Sequence, residues 1–403
     1  MNAALENGLN LYEKRHPQSA GLIQGSVVVL RNSDSAILAE AGGRRTYKGH
    51  KAVYSDYNRA TQSLRQPGSA MKPIVYLAAF REGAINLDTP VPDKPIAVAR
   101  SGDRPLKWIS NFDNRFKGII PARQALAESR NAVAIWIVQQ IGVDSVLKTA
   151  RDVGIRTPLH HYETTALGAS EVTLLELANS YRVMASGIYA EPYVIAKIEH
   201  NGAEVLYSHH SLCCSSNVNE LELSLIQEGL RGVVRIPSGT AHALDSHSFP
   251  IPVMGKTGTT NSYRDALFVG STFGPNGITV AVRIGFDDTR SLGLRETGAL
   301  AALPVFREII LKVYEEHLVG STPRFPIEME ANIDAYLRGD LPPKDAAGSM
   351  SPLGAPRLVD SREEDCSAKL VLSSTHRCEL PHGLRATIFA VKNERGRSVF
   401  VNE

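Results

Sequence analysis

The sequence predicts a layered α+β (or α/β) domain in which one sheet is shared by both chain ends and helices cover its faces. Strand patterns occupy residues 25–43, helical patterns run from 121 to about 187, and strand patterns return over 251–286. A final helical pattern lies at 301–318. Early and late strands separated by helices are expected to meet in one sheet, because each apolar face must be buried against another layer.

The first strands are predicted as a hairpin, with the β-branched run SVVVL, the turn RNSDS and the strand AILAEA ending at Gly42-Gly43. Residues 70–82 are apolar nearly all round a helix, which predicts a buried helix. Pro121 suits a first helical turn. The helical runs after it repeat apolar residues at a spacing of three to four. Late in the chain, DALFVGSTF and ITVAVRIGF flank PNG, which predicts a hairpin with an Asn-Gly turn.

Composition changes along the chain suggest the domain boundaries. Residues 1–19 are interpreted as an N-terminal linker, and residues 20–318 as the main domain. Residues 319–365 contain STPRFP, DLPPKDAAGS and SPLGAP, which are typical of a proline-rich linker. Residues 366–403 regain strand character, and are either a small appended β module or a docked tail.

The overall charge and the cysteines exclude several classes of site. The formal net charge is only +2, which argues against nucleic acid as a partner. The N-terminus lacks a signal-peptide apolar region, and no stretch is long enough to cross a bilayer. Adjacent Cys213 and Cys214 rarely bridge each other. Cys366 and Cys378 could close a loop in an oxidising compartment, or all four thiols are free. No Cys/His group has zinc spacing, so neither a metal nor a cofactor is predicted.

The segment GSAMKP places Ser69 and Lys72 on one face of a helix. A serine hydroxyl needs a neighbouring base to act as a nucleophile, and a lysine in an apolar setting can serve because burial disfavours its charged form. The same S-x-x-K pattern recurs at Ser145 and Lys148, in an amphipathic stretch that is interpreted as a surface helix. Ser69 is therefore preferred as the nucleophile, since it opens an apolar helix after a Pro-Gly turn.

Two further segments carry candidate site residues. Ser129-Arg130-Asn131 lies between two helical runs, where a serine and an amide can face a cleft; a plain helix cap is the alternative. The similar Ser215-Ser216-Asn217 lies in a polar run and is interpreted as a loop. Lys256-Thr257-Gly258-Thr259 follows an apolar strand, so Lys256 and Gly258 should share one face and Thr257 and Thr259 the other. Gly258 would allow close backbone approach.

In this order, S-x-x-K, S-x-N and K-T-G form the signature of β-lactamases and penicillin-binding proteins. Residues 20–315 resemble the transpeptidase domain of class A penicillin-binding proteins, in YNRATQSLRQPGSAMKPIVYLAAF, ALGASEVTLLELANSYRVMASG, GKTGTTNSYRDALFVG, IGFDD and ETGALAALPVFREI. The resemblance implies the penicillin-recognising fold, an antiparallel sheet with helices on both sides. Arg130 fills the variable middle position of the second motif. Class A proteins carry a glycan-polymerising domain and an anchor ahead of this domain, and neither is expected in residues 1–19.

The resemblance also implies roles for the site residues. Ser69 would be acylated by D-alanyl-D-alanine stem peptides of peptidoglycan, with Lys72 as base and with Ser129 and Lys256 relaying protons. Asn131 would hold the substrate amide, and Thr257 and Thr259 its carboxylate. The N–H groups of Ser69 and Thr259 would form the oxyanion hole.

By resemblance the protein is an extracytoplasmic transpeptidase on the periplasmic side of the inner membrane. β-Lactams are expected as covalent inhibitors, and other cell-wall synthesis proteins are candidate partners. The alternatives are a D,D-carboxypeptidase, a β-lactamase, or a sensor that binds peptidoglycan or β-lactams without turnover.

Overall fold

The structure is a computed structural model. It describes residues 1–44, 46–48, 51–53, 57–99, 106–200, 204–209, 214–215, 218–340, 376–379, 385–392 and 398–402. The chain divides into two compact units: the first comprises Met1–Pro192 and Leu212–Leu341, and the second comprises Tyr193–Ser211 and Pro342–Glu403.

The described helices, in chain order, are α1 (Asn2–Arg15), α2 (Lys72–Arg81), α3 (Ala122–Ala127), α4 (Asn131–Ile141), α5 (Val143–Asp152), α6 (Leu174–Ser186), α7 (Glu220–Arg235), α8 (Gly298–Ala301), α9 (Leu303–Glu315) and α10 (Ile327–Arg338). Short 3₁₀ turns occur at Pro17–Ser19, Gly68–Met71, Glu163–Leu167, His242–Leu244 and Asn261–Tyr263.

The described strands, in chain order, are β1 (Gln24–Arg31), β2 (Ile37–Ala41), β3 (Thr46–Lys48), β4 (Lys51–Val53), β5 (Pro90–Asp93), β6 (Ile96–Val98), β7 (Lys107–Ile109), β8 (Gly118–Pro121), β9 (Ile188–Tyr189), β10 (Lys197–His200), β11 (Glu204–Ser208), β12 (Cys214–Ser215), β13 (Met254–Thr259), β14 (Asp265–Ser271), β15 (Ile278–Gly285), β16 (His376–Glu379), β17 (Arg385–Lys392) and β18 (Ser398–Asn402).

A five-stranded antiparallel sheet forms the centre of the first unit, in the order β13-β14-β15-β1-β2. Both predicted hairpins, β1–β2 and β14–β15, are present, so the shared sheet is confirmed. Alternation along β14 shows that helices cover both faces. Phe268 packs on Phe306 of α9, with ring centroids 4.6 Å apart. The next residue towards the N-terminus, Leu267, lies with Leu174 and Leu177 of α6 around a small void.

The helical predictions are also confirmed. Every residue of α2 from Lys72 to Phe80 is buried, as its uniformly apolar sequence requires. Helices α3 to α6 lie between residues 122 and 186, although residues 153–173 contain only the 3₁₀ turn Glu163–Leu167. The start of α6 is fixed by a capping box, in which the Thr173 hydroxyl accepts from Glu176 N and the Glu176 carboxylate accepts from Thr173 N.

The structure differs from the predicted linker at residues 1–19. Helix α1 occupies most of this segment and buries Leu5, Leu9 and Tyr12. These positions form one apolar stripe on a helix, and the Tyr12 hydroxyl donates to Leu292 O over 2.6 Å. Polar residues separate these positions, so the average polarity of the segment does not indicate a helix with a buried face.

The second difference concerns residues 319–365. Helix α10 lies in this segment, buries Met329 and Ile333, and packs on α7. Glu330 forms ion pairs with Arg231, at 2.8 Å, and with Arg235. The prolines of the segment flank the helix, so proline content alone gave a poor boundary. Residues 341–365 lie outside the described residues.

The second unit contains the antiparallel pair β10–β11 and the antiparallel sheet β16-β17-β18. The sequence analysis assigned residues 193–211 to the main domain, whereas in the structure they belong to the second unit. Cys213 and Cys366 lie outside the described residues, so the thiol and disulfide alternatives stay open. Within the described part of the chain, no helix has the length and apolar character needed to span a membrane.

Candidate active site

Ser69 lies in the 3₁₀ turn Gly68–Met71, which runs directly into α2. Gly68 has φ +55°, and a Cβ at this position would lie 2.5 Å from Thr259 O. The turn therefore requires glycine both for its backbone angle and for its close approach to β13. Ser69 is half-buried. Its N–H belongs to the first turn of a helix, where N–H groups lack acceptors within the helix.

Strand β13 meets the same turn through Gly258. A Cβ there would lie 2.7 Å from Pro67 O and 3.2 Å from Ala70 Cβ, so the predicted close approach is present and involves the segment that carries Ser69. β13 is an edge strand, and Thr260 N donates to Asp265 O on β14 over 3.1 Å. Since ladder bonds use every second residue of an antiparallel strand, the peptide groups of Thr257 and Thr259 face the open edge.

Lys72 is fully buried, one helical turn after Ser69. Its Nζ donates to Ser129 O, to Ser129 Oγ over 3.0 Å and to Asn131 Oδ1 over 2.7 Å. No carboxylate of a described residue pairs with this amine. Burial, followed by the charges of Lys256 and Arg130, holds the pKa of Lys72 well below its ordinary value. A lowered pKa favours the neutral amine, which is the form that can accept a proton.

The junction between α3 and α4 presents Ser129 and Asn131 to this amine. Ser129 has φ +61°, in the left-handed region that side chains rarely adopt. The turn is held by bonds from Ser129 N to Leu126 O, 3.1 Å, and from Arg130 N to Ala125 O, 2.9 Å. Strain of this kind persists where the surroundings dictate the backbone, and here it directs the serine side chain towards Lys72.

Arg130 has a larger structural role than its variable position in the motif suggests. Its guanidinium is buried and forms ion pairs with Glu128 at 2.8 Å and Asp113 at 3.0 Å, while the buried Asp93 lies 3.6 Å away. The sequence gives one local signal for this network, the acidic residue at 128; Asp93 comes from the end of β5 and Asp113 from the loop after β7.

Lys256 is the second buried amine of the site. Its Nζ lies 3.2 Å from Thr257 O and 3.4 Å from Thr257 Oγ, and burial lowers its pKa to about 7. Thr257 Oγ donates to Thr240 Oγ over 2.8 Å, and Thr240 N donates to Ala127 O over 3.0 Å. Thr240 thus connects β13 to the end of α3. Sequence reasoning missed it, because an isolated threonine in a loop carries no motif.

The alternation predicted for β13 agrees with the structure. Lys256 and Gly258 pair with Val269 and Leu267, respectively, on the face that packs on the turn carrying Ser69. On the opposite face, Thr259 Oγ accepts from Gly298 N of α8 over 3.1 Å.

The fold brings Lys72, Ser129 and Asn131 into contact one helical turn from Ser69, and it packs Gly258, on the same strand as Lys256, against the turn that carries Ser69. The competing motifs lie elsewhere. Ser145 and Lys148 lie on α5, where Ser145 Oγ donates to Glu82 over 2.8 Å and Lys148 pairs with Asp152 at 3.1 Å. Ser215 lies in β12, and residues 216–217 lie outside the described residues.

Comparison with known proteins identifies the family of the domain. Residues 25–310 match the family model for the penicillin binding protein transpeptidase domain. The chain belongs to this family. As a member of the transpeptidase family, it is 36% identical over 296 residues to penicillin-binding protein 1A of Neisseria flavescens. It is 35% identical over 298 residues to penicillin-binding protein 1A of Aquifex aeolicus. Each match covers 72% of this chain, which spans 36% and 39% of those relatives.

Solved structures of this family share the fold. Penicillin-binding protein 1A from Haemophilus influenzae matches with a TM-score of 0.66 and 28% identity, over 76% of this chain and 49% of that one. PonA1 from Mycobacterium tuberculosis matches with a TM-score of 0.65 and 19% identity, over 80% and 84%. A second PonA1 structure, at 20% identity and a TM-score of 0.62, is a complex with penicillin V. The α+β fold with an antiparallel sheet is therefore that of penicillin-binding transpeptidase domains.

Proposed function

We propose that this domain is a D-alanyl-D-alanine transpeptidase that crosslinks peptidoglycan stem peptides through an acyl-enzyme on Ser69. The observation that carries the proposal is the setting of Lys72. Its amine is buried without a carboxylate partner, lies one turn from Ser69, and is held by Ser129 and Asn131. In its neutral form this amine donates two hydrogen bonds at most, and its lone pair is then a base that can activate a serine.

In the acylation step, Ser69 Oγ attacks the carbonyl carbon of the penultimate D-alanine while its proton passes to Lys72. The N–H groups of Ser69 and Thr259, next to the contact between Gly68 and β13, would stabilise the oxyanion. The peptide bond then breaks. Ser129, within hydrogen-bond distance of Lys72, and Lys256 would deliver the proton to the departing amine of the terminal D-alanine.

In the second step, the amine of a neighbouring stem attacks the ester carbonyl. It loses a proton to the same base, forms the new peptide bond and releases the Ser69 hydroxyl. The donor peptide would lie along the free edge of β13, where the peptide groups of Thr257 and Thr259 are open. Asn131 would bind its amide, and Thr257 and Thr259 its carboxylate.

The same chemistry accounts for inhibition by β-lactams, whose ring carbonyl would acylate Ser69 without a leaving group that diffuses away. The activity places the domain on the periplasmic side of the inner membrane, where its peptidoglycan substrate and other cell-wall synthesis proteins are found. A hydrolase would share the first step and differ only in using water as the acceptor.

Product analysis tests the proposal. The protein is incubated with a stem peptide ending in D-alanyl-D-alanine, with and without an acceptor amine, and released D-alanine and peptide products are quantified. We expect D-alanine and crosslinked peptide in equal amounts when acceptor is present. Hydrolysed peptide alone would identify a carboxypeptidase, and no release of D-alanine would favour a binding module. Ser69→Ala should be inactive, whereas Ser145→Ala should match the wild type.

A further inference from the structure

The dipeptide Ser110-Asn111 follows β7 and passes the first turn of α4. Asn111 is almost fully buried, and its Oδ1 accepts from Asn131 N over 2.8 Å and from Ala132 N over 3.2 Å. The residue at the N-cap position, Arg130, contributes no side-chain cap. Since the first N–H groups of a helix need outside acceptors, Asn111 acts as the cap of α4 from twenty positions away.

The amide of Asn111 can adopt only one orientation. Its Nδ2 donates to Asp93 Oδ1 over 2.6 Å and to Arg115 O over 2.9 Å. Asp93 is fully buried, and its second oxygen accepts from Lys117 N over 3.0 Å. A flipped amide would direct its oxygen at a carboxylate and a carbonyl, and its NH₂ at two N–H donors, so the hydrogen-bond network excludes it.

Ser110 and Asn111 each accept one hydrogen bond from Asn131. Asn131 Nδ2 donates to Ser110 O over 2.9 Å, while Asn131 N donates to Asn111. This leaves Asn131 Oδ1 facing Lys72 Nζ at 2.7 Å. The direction of the catalytic amide is therefore fixed from outside α4, by a segment that contains none of the three sequence motifs.

Ion pairs of the buried Arg130 and Glu128 side chains connect this segment to the serine–asparagine junction. Arg130 bonds to Asp113 over 3.0 Å and to Glu128 over 2.9 Å. Glu128 also accepts from Lys117 Nζ over 2.6 Å. Truncating one residue in such a network leaves its partners unpaired, so the position of the segment is strongly determined.

We propose that Asn111 is a positioning residue for the acylation of Ser69: it holds Asn131 so that Asn131 Oδ1 keeps the Lys72 amine beside Ser129. The inference rests on the proposed function. Asn111 is buried behind Asn131, so it acts through that residue and not on the substrate.

The test compares Asn111→Ala with Asn86→Ala. Asn86 is a matched control, because its exposed amide also accepts from two backbone N–H groups, those of Asp88 and Thr89, each over 2.9 Å. Stopped-flow labelling with a fluorescent penicillin separates the acylation rate constant from the binding constant. We expect Asn111→Ala to lower the acylation rate constant about 10- to 100-fold, with little change in binding, and Asn86→Ala to match the wild type.

The pH dependence of acylation provides a second measurement, because a purely structural role of Asn111 would leave its midpoint unchanged. Asn131 Oδ1 stabilises the protonated form of Lys72, while Lys256 on β13 and Arg130 before α4 act against it. Releasing Asn131 removes the stabilising contact, so the pH midpoint of acylation should fall in Asn111→Ala. In Asn86→Ala it should be unchanged.

Asn111→Ser provides a second variant, because its hydroxyl can still cap α4 although it cannot reach Asp93 as the amide does. We expect its acylation rate constant to lie between those of Asn111→Ala and the wild type. Wild-type rates and midpoints in both variants would overturn the inference, as would failure of both to fold, which would assign Asn111 to the fold alone. A wild-type protein that no penicillin acylates would instead refute the proposed function.

Discussion

A serine followed three residues later by a lysine occurs twice, once from the 3₁₀ turn Gly68–Met71 into α2 and once within α5, and the two copies have opposite surroundings. Lys72 is fully buried and bonded to neutral oxygens, whereas the Lys148 side chain is 65% exposed and paired with Asp152. Ser69 follows a glycine packed on β13, while Ser145 donates to the exposed Glu82. The spacing alone is therefore insufficient for the chemistry, and the two copies differ in burial and in the presence of a counter-ion.

The largest contrast is expected between the two lysines. Lys72→Ala should reduce the acylation rate by about 10³-fold or more, because it removes the base, and Lys148→Ala should leave it unchanged. Rates of labelling with a fluorescent penicillin measure both. Equal rates in Lys72→Ala and the wild type would remove Lys72 from the mechanism, whereas an effect of Lys148→Ala would break the comparison itself.

The second contrast concerns the cost of burying an amine. Burial lowers the pKa of Lys256 to about 7, whereas an unfolded lysine titrates near 10.4. Between these values the unfolded chain binds more protons, so stability rises with pH from about 7 to about 10 and is lowest below that window. Lys256→Met should therefore stabilise the fold at pH 7 by about 2–4 kcal/mol and weaken this rise, while abolishing acylation.

Urea unfolding at several pH values measures this effect, with Lys148→Met as the control. Because Lys148 is exposed, its replacement should change stability by less than about 0.5 kcal/mol at every pH. A loss of stability in Lys256→Met at pH 7 would show that the buried amine is a favourable part of the fold, contrary to our account.

The third and smallest contrast lies in the glycines ahead of the two serines. Gly68 and Gly142 both have positive φ, but a Cβ at Gly68 would meet Thr259 O at 2.5 Å, whereas a Cβ at Gly142 would meet nothing within 4 Å. Gly142→Ala should cost only backbone strain, about 1 kcal/mol, and Gly68→Ala about 2–3 kcal/mol. Only Gly68→Ala should also slow acylation. Equal urea midpoints for Gly68→Ala and Gly142→Ala would show that the contact between residue 68 and β13 can relax.

Much of the fold was predictable because its elements have simple local signals. The buried run of α2 and the two hairpins each follow from apolar periodicity and turn residues. Helices α1 and α10 were missed for the opposite reason: each buries a narrow apolar stripe, such as Leu5, Leu9 and Tyr12, within a polar sequence. Their burial is decided by packing partners far away in the chain, which no local window contains.

The site residues also divide into those with a local sequence signal and those without one. Ser69, Lys72, Ser129 and Lys256 lie in short motifs whose residue types indicate their chemistry, and the fold brings them together. Asn111 and Thr240 carry no motif, since each acts through hydrogen bonds to residues distant in sequence. The pairing of the buried Arg130 with Asp113 likewise depends on a loop position that the sequence does not reveal.

The central claim is that Ser69, and not Ser145, is the nucleophile. Intact-mass analysis after incubation with penicillin, with the modified peptide mapped, tests it most directly. The account predicts one penicilloyl adduct on the peptide that contains Ser69, lost in Ser69→Ala and retained in Ser145→Ala. An adduct on any other serine, or full labelling of Ser69→Ala, would contradict it.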